Sequence, residues 1–328
     1  MVGSGGRSCV PPEFRTRQVS SPLILPLREE PREKVDLRRG LSESMIGRMF
    51  LAAATALTGA TGACSPAVLG RWRVAPVAYA EPKSNAITFW GHACAYIDVG
   101  GFGIVTDPVF SRKYATIRRR LISSPPVDAY DQTQLIVISH AHQDHLDPAT
   151  LARFSPKTAI LAPYPAARYL RKRGIYARAM RPGDQYPFPG GTITAVAAHH
   201  PGHRLSLKAR SDGRAIGYVI RTRDATIYYT GDTEYFSGFA AVAAEFRPDI
   251  ALLNLNAHLH SRDAFLAIGD LGARAVVPMH LGAYDGKSER LGPRWRAELV
   301  RRLGAQIVPL EVGESLPLAV LRKPSGRR

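Results

Sequence analysis

The apolar positions of this chain recur in short blocks from Ala86 onward. Runs rich in Val, Ile, Thr, Tyr or Phe lie near Gly, Pro or Asp, the pattern of β-strands. They cover Ile87–Trp90, Ala95–Val99, Gly103–Thr106, Leu135–Ser139, Thr158–Ala162, Thr192–Ala198, Ala215–Ile220, Thr226–Thr230, Ile250–Asn254, Arg274–Met279 and Gln306–Leu310. Helices are predicted between the later strands. Asp147 and Pro148 supply an N-cap and a proline at the first helical position, opening a helix through Phe154. Ser261 caps a helix that stops at Gly272, and Pro293 opens one that stops at Gly304. A strand-rich first half followed by alternating helix and strand predicts one α/β domain over residues 85–320, with two sheets face to face and helices outside.

The N-terminal stretch has another character. Residues 1–44 mix Pro, Gly, Ser, Arg and Glu without apolar periodicity, so they cannot bury enough surface to offset their ordering entropy and are predicted disordered. Residues 45–64 combine a short positive region with an apolar run too short to span a membrane. That run ends in Thr61-Gly62-Ala63-Cys64, which resembles the lipobox of bacterial lipoproteins with Thr61 in place of the bulky aliphatic residue. Ala78-Tyr79-Ala80 offers a second cleavage pattern. The expectation is an exported protein, periplasmic or lipid-anchored, with translation starting at Met45, a linker over 65–84 and a basic tail over 321–328. The alternative is a cytoplasmic protein with an apolar N-terminal helix.

Composition narrows the class. Of 328 residues, 45% are hydrophobic and 22% charged, the balance of a soluble globular protein. Three cysteines, Cys9, Cys64 and Cys94, show no pattern of a disulfide framework or a structural Cys-type zinc site. Forty-four Lys and Arg against twenty-seven Asp and Glu leave a formal charge of +17. The clusters at Arg118–Arg120 and at Arg168, Arg171, Lys172, Arg173, Arg178 and Arg181 suit an anionic substrate, a phospholipid surface or nucleic acid, without choosing among them.

The chemistry is concentrated in His140-Ala141-His142-Gln143-Asp144-His145, in the loop leaving an apolar strand. His140 and His142 are two apart and share one side of an extended segment. The following turn can bring Asp144 and His145 to the same centre. Imidazole with carboxylate suits Zn²⁺, with Fe²⁺ or Mn²⁺ as alternatives. All ten histidines lie between His92 and His280, which fits recruitment to one centre. One of His199 and His200, after the strand Thr192–Ala198, is expected to complete a three-histidine site with His140 and His142. Asp232 ends another strand at a tight turn, where a carboxylate can bridge two cations. His280, at the end of an apolar strand, is expected to join Asp144 and His145 at a second cation. Two divalent ions would lower the pKa of a shared water, and the bridging hydroxide would attack carbon or phosphorus while Asp144 orients it and accepts its proton.

In order, these elements resemble the metallo-β-lactamase superfamily: an HxHxDH loop, a later His, a Gly-Asp strand end and a final strand-end His. The resemblance covers roughly residues 85–320 and implies a four-layer αββα sandwich. It is nearer still to the branch of N-acylphosphatidylethanolamine-hydrolysing phospholipase D and the ascorbate-6-phosphate lactonase-like proteins. Trp90-Gly91-His92-Ala93, Thr106-Asp107-Pro108-Val109-Phe110-Ser111 and Ser139 through Asp147 carry that likeness. Val196-Ala197-Ala198-His199-His200 aligns with the branch's V-P-A-x-H, which implies His200 as the ligand. The likeness also implies a metal set of His140, His142 and His200 at one ion, Asp144, His145 and His280 at the other, and Asp232 between them. His258 resembles a histidine that lines the active site there, so it joins Asp144 as a candidate catalytic residue. His92 and Asp107 are expected to orient ligands rather than to bind metal. Leu281-Gly282-Ala283-Tyr284 departs from the branch's W-G-T-F, a change that bears on substrate.

The function expected is therefore metal-dependent hydrolysis, of a lipid-derived phosphodiester such as N-acylphosphatidylethanolamine at a membrane surface. The runner-up is a lactonase or ester hydrolase acting on a small anionic compound such as a phosphorylated sugar lactone. Nucleic acid is not expected as a partner, because the segment from Asp232 to His280 holds no inserted binding domain. A non-catalytic binding module is disfavoured by seven intact ligand positions.

Overall fold

A computed structural model of the chain describes residues 76, 77, 79, 84–114, 118–202, 204, 214–255, 259, 261–285 and 293–321. The expected disordered segment 1–44, the signal segment 45–64 and the candidate His258 lie outside the described residues.

Fifteen strands are present among the described residues: β1 (Ala86–Gly91), β2 (Cys94–Val99), β3 (Phe102–Thr106), β4 (Lys113–Tyr114), β5 (Arg118–Arg119), β6 (Thr133–Val137), β7 (Ala159–Pro163), β8 (Arg178–Met180), β9 (Gln185–Phe188), β10 (Gly191–Ala197), β11 (Ile216–Thr222), β12 (Thr226–Tyr229), β13 (Ile250–Asn254), β14 (Ala275–Met279) and β15 (Ser315–Pro317). Six helices accompany them: α1 (Val127–Asp131), α2 (Pro148–Leu151), α3 (Tyr164–Arg171), α4 (Gly238–Phe246), α5 (Ser261–Leu271) and α6 (Pro293–Leu303). One sheet has the order β15-β1-β2-β3-β6-β7-β8, and a second β14-β13-β12-β11-β10-β9. β4 and β5 form a separate ribbon.

Side-chain alternation explains the layers. In β6, Leu135 and Val137 point into a core shared with Ile193, Ile220, Leu252 and Met279 of the other sheet. Ile136 and the following Ile138 point the other way, onto Tyr130 of α1, Leu151 of α2 and Leu170 of α3. The far face of the second sheet, with Val219, Tyr228 and Leu253, is covered by Phe239 of α4, Ile268 of α5 and Leu299 of α6. This is the αββα sandwich. Each fully buried Leu or Ile contributes about 1.5–3 kcal/mol, and β6, apolar on both faces, feeds two cores at once.

The topology also sets where a site can form. β1 pairs antiparallel to β2 and β2 to β3, so β1 and β3 run the same way, and β6 is parallel to β3. In the second sheet β10, β12, β13 and β14 share one direction by the same reasoning. The carboxyl ends of β1, β3 and β6 therefore share one edge of the first sheet, and those of β10, β12, β13 and β14 one edge of the second. An isolated bridge between His92 and Leu281 joins the two edges.

Several predicted elements differ from those observed. Gln306–Leu310 is not a strand: a 3₁₀ turn occupies Gly304–Gln306, and a single bridge pairs Ile307 with Val276. Pro309 follows and has no N–H to continue a ladder. The helix expected through Phe154 stops at Leu151. The segment expected as a linker makes contacts: Ser123 Oγ accepts from the Val77 N–H (3.0 Å), and the Tyr79 hydroxyl donates to the Ser123 carbonyl (2.8 Å). Burial pushes that phenol up to about 12.

Candidate metal centre

The loop after β6 is shaped by its own hydrogen bonds. The N–H groups of His145 and Leu146 both donate to the His142 carbonyl, closing a tight turn that returns Asp144 and His145 toward His140. Asp147 anchors the far end, its Oδ1 accepting from Ala149 N–H and its Oδ2 from the Ser111 and Thr150 hydroxyls.

His140, His142 and His200 form one cluster. His142 Nδ1 lies 2.9 Å from His140 Nε2 and 3.1 Å from His200 Nε2. Burial, reinforced by His145 and His200, holds His140 well below the usual histidine range, so its ring stays neutral. His199, the neighbour of His200, turns outward and stacks on Phe236 with ring centres 4.3 Å apart.

Asp144, His145 and His280 meet in a second cluster, and His92 joins them. His145 Nε2 is 3.8 Å and His280 Nε2 3.6 Å from Asp144 Oδ2. Asp232 stands between the clusters. Its Oδ2 is 3.4 Å from His145 Nε2, 3.7 Å from His280 Nε2 and 3.9 Å from His200 Nε2. Asp232 follows Gly231, whose φ of 56° makes the turn at the end of β12. Burial alone would raise both carboxyls. His145, together with His280, outweighs it and holds Asp144 and Asp232 well below the usual carboxylate range. His145 is driven up in turn: burial opposes its charge, but Asp232, Asp144 and Asp107 prevail.

Asp107 is a hub behind both clusters. Its Oδ1 accepts from Ser139 N–H (2.7 Å), and its Oδ2 from Ser139 Oγ (2.5 Å), Tyr229 OH (2.6 Å) and His145 Nδ1 (2.6 Å). Ser139 Oγ also contacts His140 Nδ1 at 2.9 Å. Nε2 of each histidine is thereby left for the centre. Asn254 and Tyr229 were not singled out from the sequence. Asn254 Nδ2 donates to Asp232 Oδ1 at 2.9 Å, which leaves Oδ2 facing the clusters. A polar residue closing an all-apolar strand between the Asp232 and His280 strands was the available signal.

The donor set suits a metal. Nε2 of His145 and of His280 are buried with no hydrogen-bond partner among the described residues. Each such atom costs about 1–3 kcal/mol unless something binds it. The 3.4–3.9 Å separations are longer than ordinary hydrogen bonds and near the ~3.3 Å between neighbouring ligands expected from ~2.0–2.1 Å bonds to a tetrahedral ion. Nitrogen and oxygen donors without sulfur fit Zn²⁺, Fe²⁺ or Mn²⁺.

A basic groove flanks the loop. Two adjoining cavities of about 190 and about 280 Å³ share Tyr164, Pro165 and Arg214, and the first is also lined by Arg168, Tyr169, Lys172 and Arg204. Arg204 donates to the Leu146 carbonyl, next to His145, and its guanidinium lies 4.6 Å from the Tyr169 ring. No helix of the described residues is long and apolar enough to cross a membrane.

Comparison with known proteins agrees with this fold and with a metal-dependent hydrolase. Residues 103–281 match the family model of the β-lactamase superfamily domain. A UPF0173 metal-dependent hydrolase of Pyrococcus furiosus is 32% identical over 238 residues, spanning 71% of this chain and 99% of the relative. Another from Pyrococcus horikoshii is 34% identical over 241 residues, with 71% and 99% covered. The solved structure of a metallo hydrolase from Ignicoccus hospitalis superposes with a TM-score of 0.55 at 25% identity, covering 70% of this chain and 97% of that one. The chain belongs to the metallo-β-lactamase superfamily, among its UPF0173 metal-dependent hydrolases.

Proposed function

We propose that this hydrolase works with two divalent cations on a lipid-derived phosphodiester such as N-acylphosphatidylethanolamine. The observation that carries the substrate class is the basic groove beside the His140–His145 loop, where Arg168, Lys172, Arg204 and Arg214 line cavities with no acidic residue among their walls. Such a field concentrates anionic substrates at the cleft. His140, His142 and His200 would hold one cation and Asp144, His145 and His280 the other, with Asp232 shared. Bound there, such cations would supply an activated water at neutral pH and would stabilise charge developing on the scissile group.

The remaining work falls to the chain's own side chains. Asp144 is the most exposed carboxylate of the centre, 22% accessible at its side chain, and it is held ionised. With Oδ2 facing the histidines, its other carboxylate oxygen would take a hydrogen bond from the attacking water and pass on the released proton. Asp107 and Asn254 keep His145 and Asp232 in place. The Arg204 guanidinium, half-buried and fixed to the Leu146 carbonyl, would orient the phosphate or its flanking anionic group.

The test is to incubate the metal-loaded protein with N-acylphosphatidylethanolamine vesicles and follow phosphatidic acid by mass spectrometry, with Asp144→Asn as control. Phosphatidic acid from the parent and none from the variant is expected. No product from a protein with full metal content would overturn the phosphodiesterase reading. A lactonase reading is second, favoured by the small size of the nearer cavity, below the ~300–1,000 Å³ usual for drug-sized ligands. Ring opening of a phosphorylated sugar lactone by the same sample would establish it.

A further inference from the structure

His92 was expected to orient a ligand from behind, as Asp107 does. Its position is different. A supporting group hydrogen-bonds the ring nitrogen that faces away from the ion, as Asp107 Oδ2 does with His145 Nδ1 at 2.6 Å. His92 instead presents Nε2 to the inner carboxylate oxygen, 3.6 Å from Asp144 Oδ2. That equals the distance of His280 Nε2 from the same oxygen and is shorter than the 3.8 Å of His145 Nε2. One donor atom from each of His92, Asp144, His145 and His280 lies within 4.8 Å of every other. By separation from Asp144, His92 cannot be told apart from the two histidines expected as ligands.

The backbone holds His92 there against a local cost. His92 has φ 58° and His280 has φ 70°. Non-glycine residues in that region cost about 1–3 kcal/mol each and persist where their surroundings enforce them, often at ligand clamps. Here the enforcement is reciprocal: His92 N–H donates to the Leu281 carbonyl and His280 N–H to the His92 carbonyl, both at 2.6 Å. The two rings are thereby set side by side, centres 3.9 Å apart, and Tyr284 packs edge-on to His92 at 5.4 Å with its hydroxyl tied to the Val109 carbonyl.

We propose that His92 is a direct ligand of the second cation, an inference that rests on the two-cation reading above. The sites then differ in kind. The first offers three imidazoles and a share of Asp232, which leaves room for water and substrate. The second offers three imidazoles, Asp144 and a share of Asp232, five protein donors, a set that suits ions favouring five or six ligands over strictly tetrahedral ones. The second ion would serve to anchor Asp144 and Asp232, and exchange at the first site would be the faster.

The experiment labels the histidines of the full chain with nitrogen-15, strips the metal with a chelator and reloads with cadmium-113. Scalar cadmium–nitrogen coupling passes only through a coordination bond, so a supporting histidine does not show it. Coupling to six histidine rings is expected, with one signal lost in His92→Gln. Coupling to five rings, with His145 and His280 among them and His92 not, would overturn the proposal. Absence of coupling to His145 and His280 as well would overturn the two-cation reading along with it. Should His92→Gln fail to fold, the count of five or six in the parent decides.

Discussion

Replacing Asp107 with asparagine separates the orienting role of this residue from its packing role. Asparagine keeps the shape and tolerates the φ of 32° at this position, so the backbone is not the variable. The four donors around the carboxylate are. An amide oxygen placed toward Ser139 Oγ, Tyr229 OH and His145 Nδ1 turns the NH₂ group against the Ser139 N–H; the opposite flip turns it against His145. In either pose at least one buried donor is stranded, at a cost of about 1–3 kcal/mol. For a domain of this size that is a fall in melting temperature of roughly 2–12 °C without metal. A second loss appears only with metal. Freed from the carboxylate, His145 can carry its proton on Nε2, where it cannot bind an ion, and loss of such a support costs about 10–100-fold in metal affinity. At a cation concentration ~100 times the parental Kd, binding adds about 2.7 kcal/mol to the parent but only about 1.4 to 0.4 kcal/mol to the variant. Denaturation with and without Zn²⁺ should therefore show a deficit about 1.3–2.3 kcal/mol larger when the ion is present. An equal deficit in both conditions would refute the orienting role and leave Asp107 as packing alone.

His200→Ala removes one of three clustered nitrogens, whereas His199→Ala removes only a stacking contact with Phe236, worth about 0.5–1.5 kcal/mol. Elemental analysis should find about one metal ion fewer per chain in the first variant and parental content in the second; the reverse pattern would exchange their roles. Gly231→Ala would put a Cβ 2.4 Å from Ser139 Cβ at a φ of +56°. Destabilisation of about 1–3 kcal/mol in urea is expected, with weaker metal binding as Asp232 is displaced. A variant as stable as the parent would show that the turn has room the structure denies it.

Much of the centre was legible because its ligands are local or end a strand. His140 through His145 lie within six residues, and the run Leu135–Ile138 before them is apolar, so a loop at a strand end was readable without knowing the neighbours. Asp232 and His280 were readable for the same reason. The errors fall where a partner strand decides. Gln306–Leu310 has the composition of a strand, but Pro309 interrupts its ladder beside β14. The short β8, β9 and β15 carry too few residues to show a period and exist because β7, β10 and β1 offer them open edges.

The sequence by itself determined the donor inventory: imidazoles and carboxylates without sulfur, placed after β-rich runs. It also determined the two-faced apolar alternation that demands a layered α/β fold. These are properties of residue type and spacing, carried by the chain in any conformation. Tertiary structure alone decided which donors face one another. His200 turns inward while His199 stacks on Phe236, and His92 reaches the cluster from the end of β1 because its backbone is bridged to Leu281, just beyond β14. Asn254 and Tyr229 became part of the site only when strand order set them beside Asp232 and Asp107. Ligand distances of a few ångströms are fixed by which strands neighbour one another and in what register, and neither is a local property of the chain.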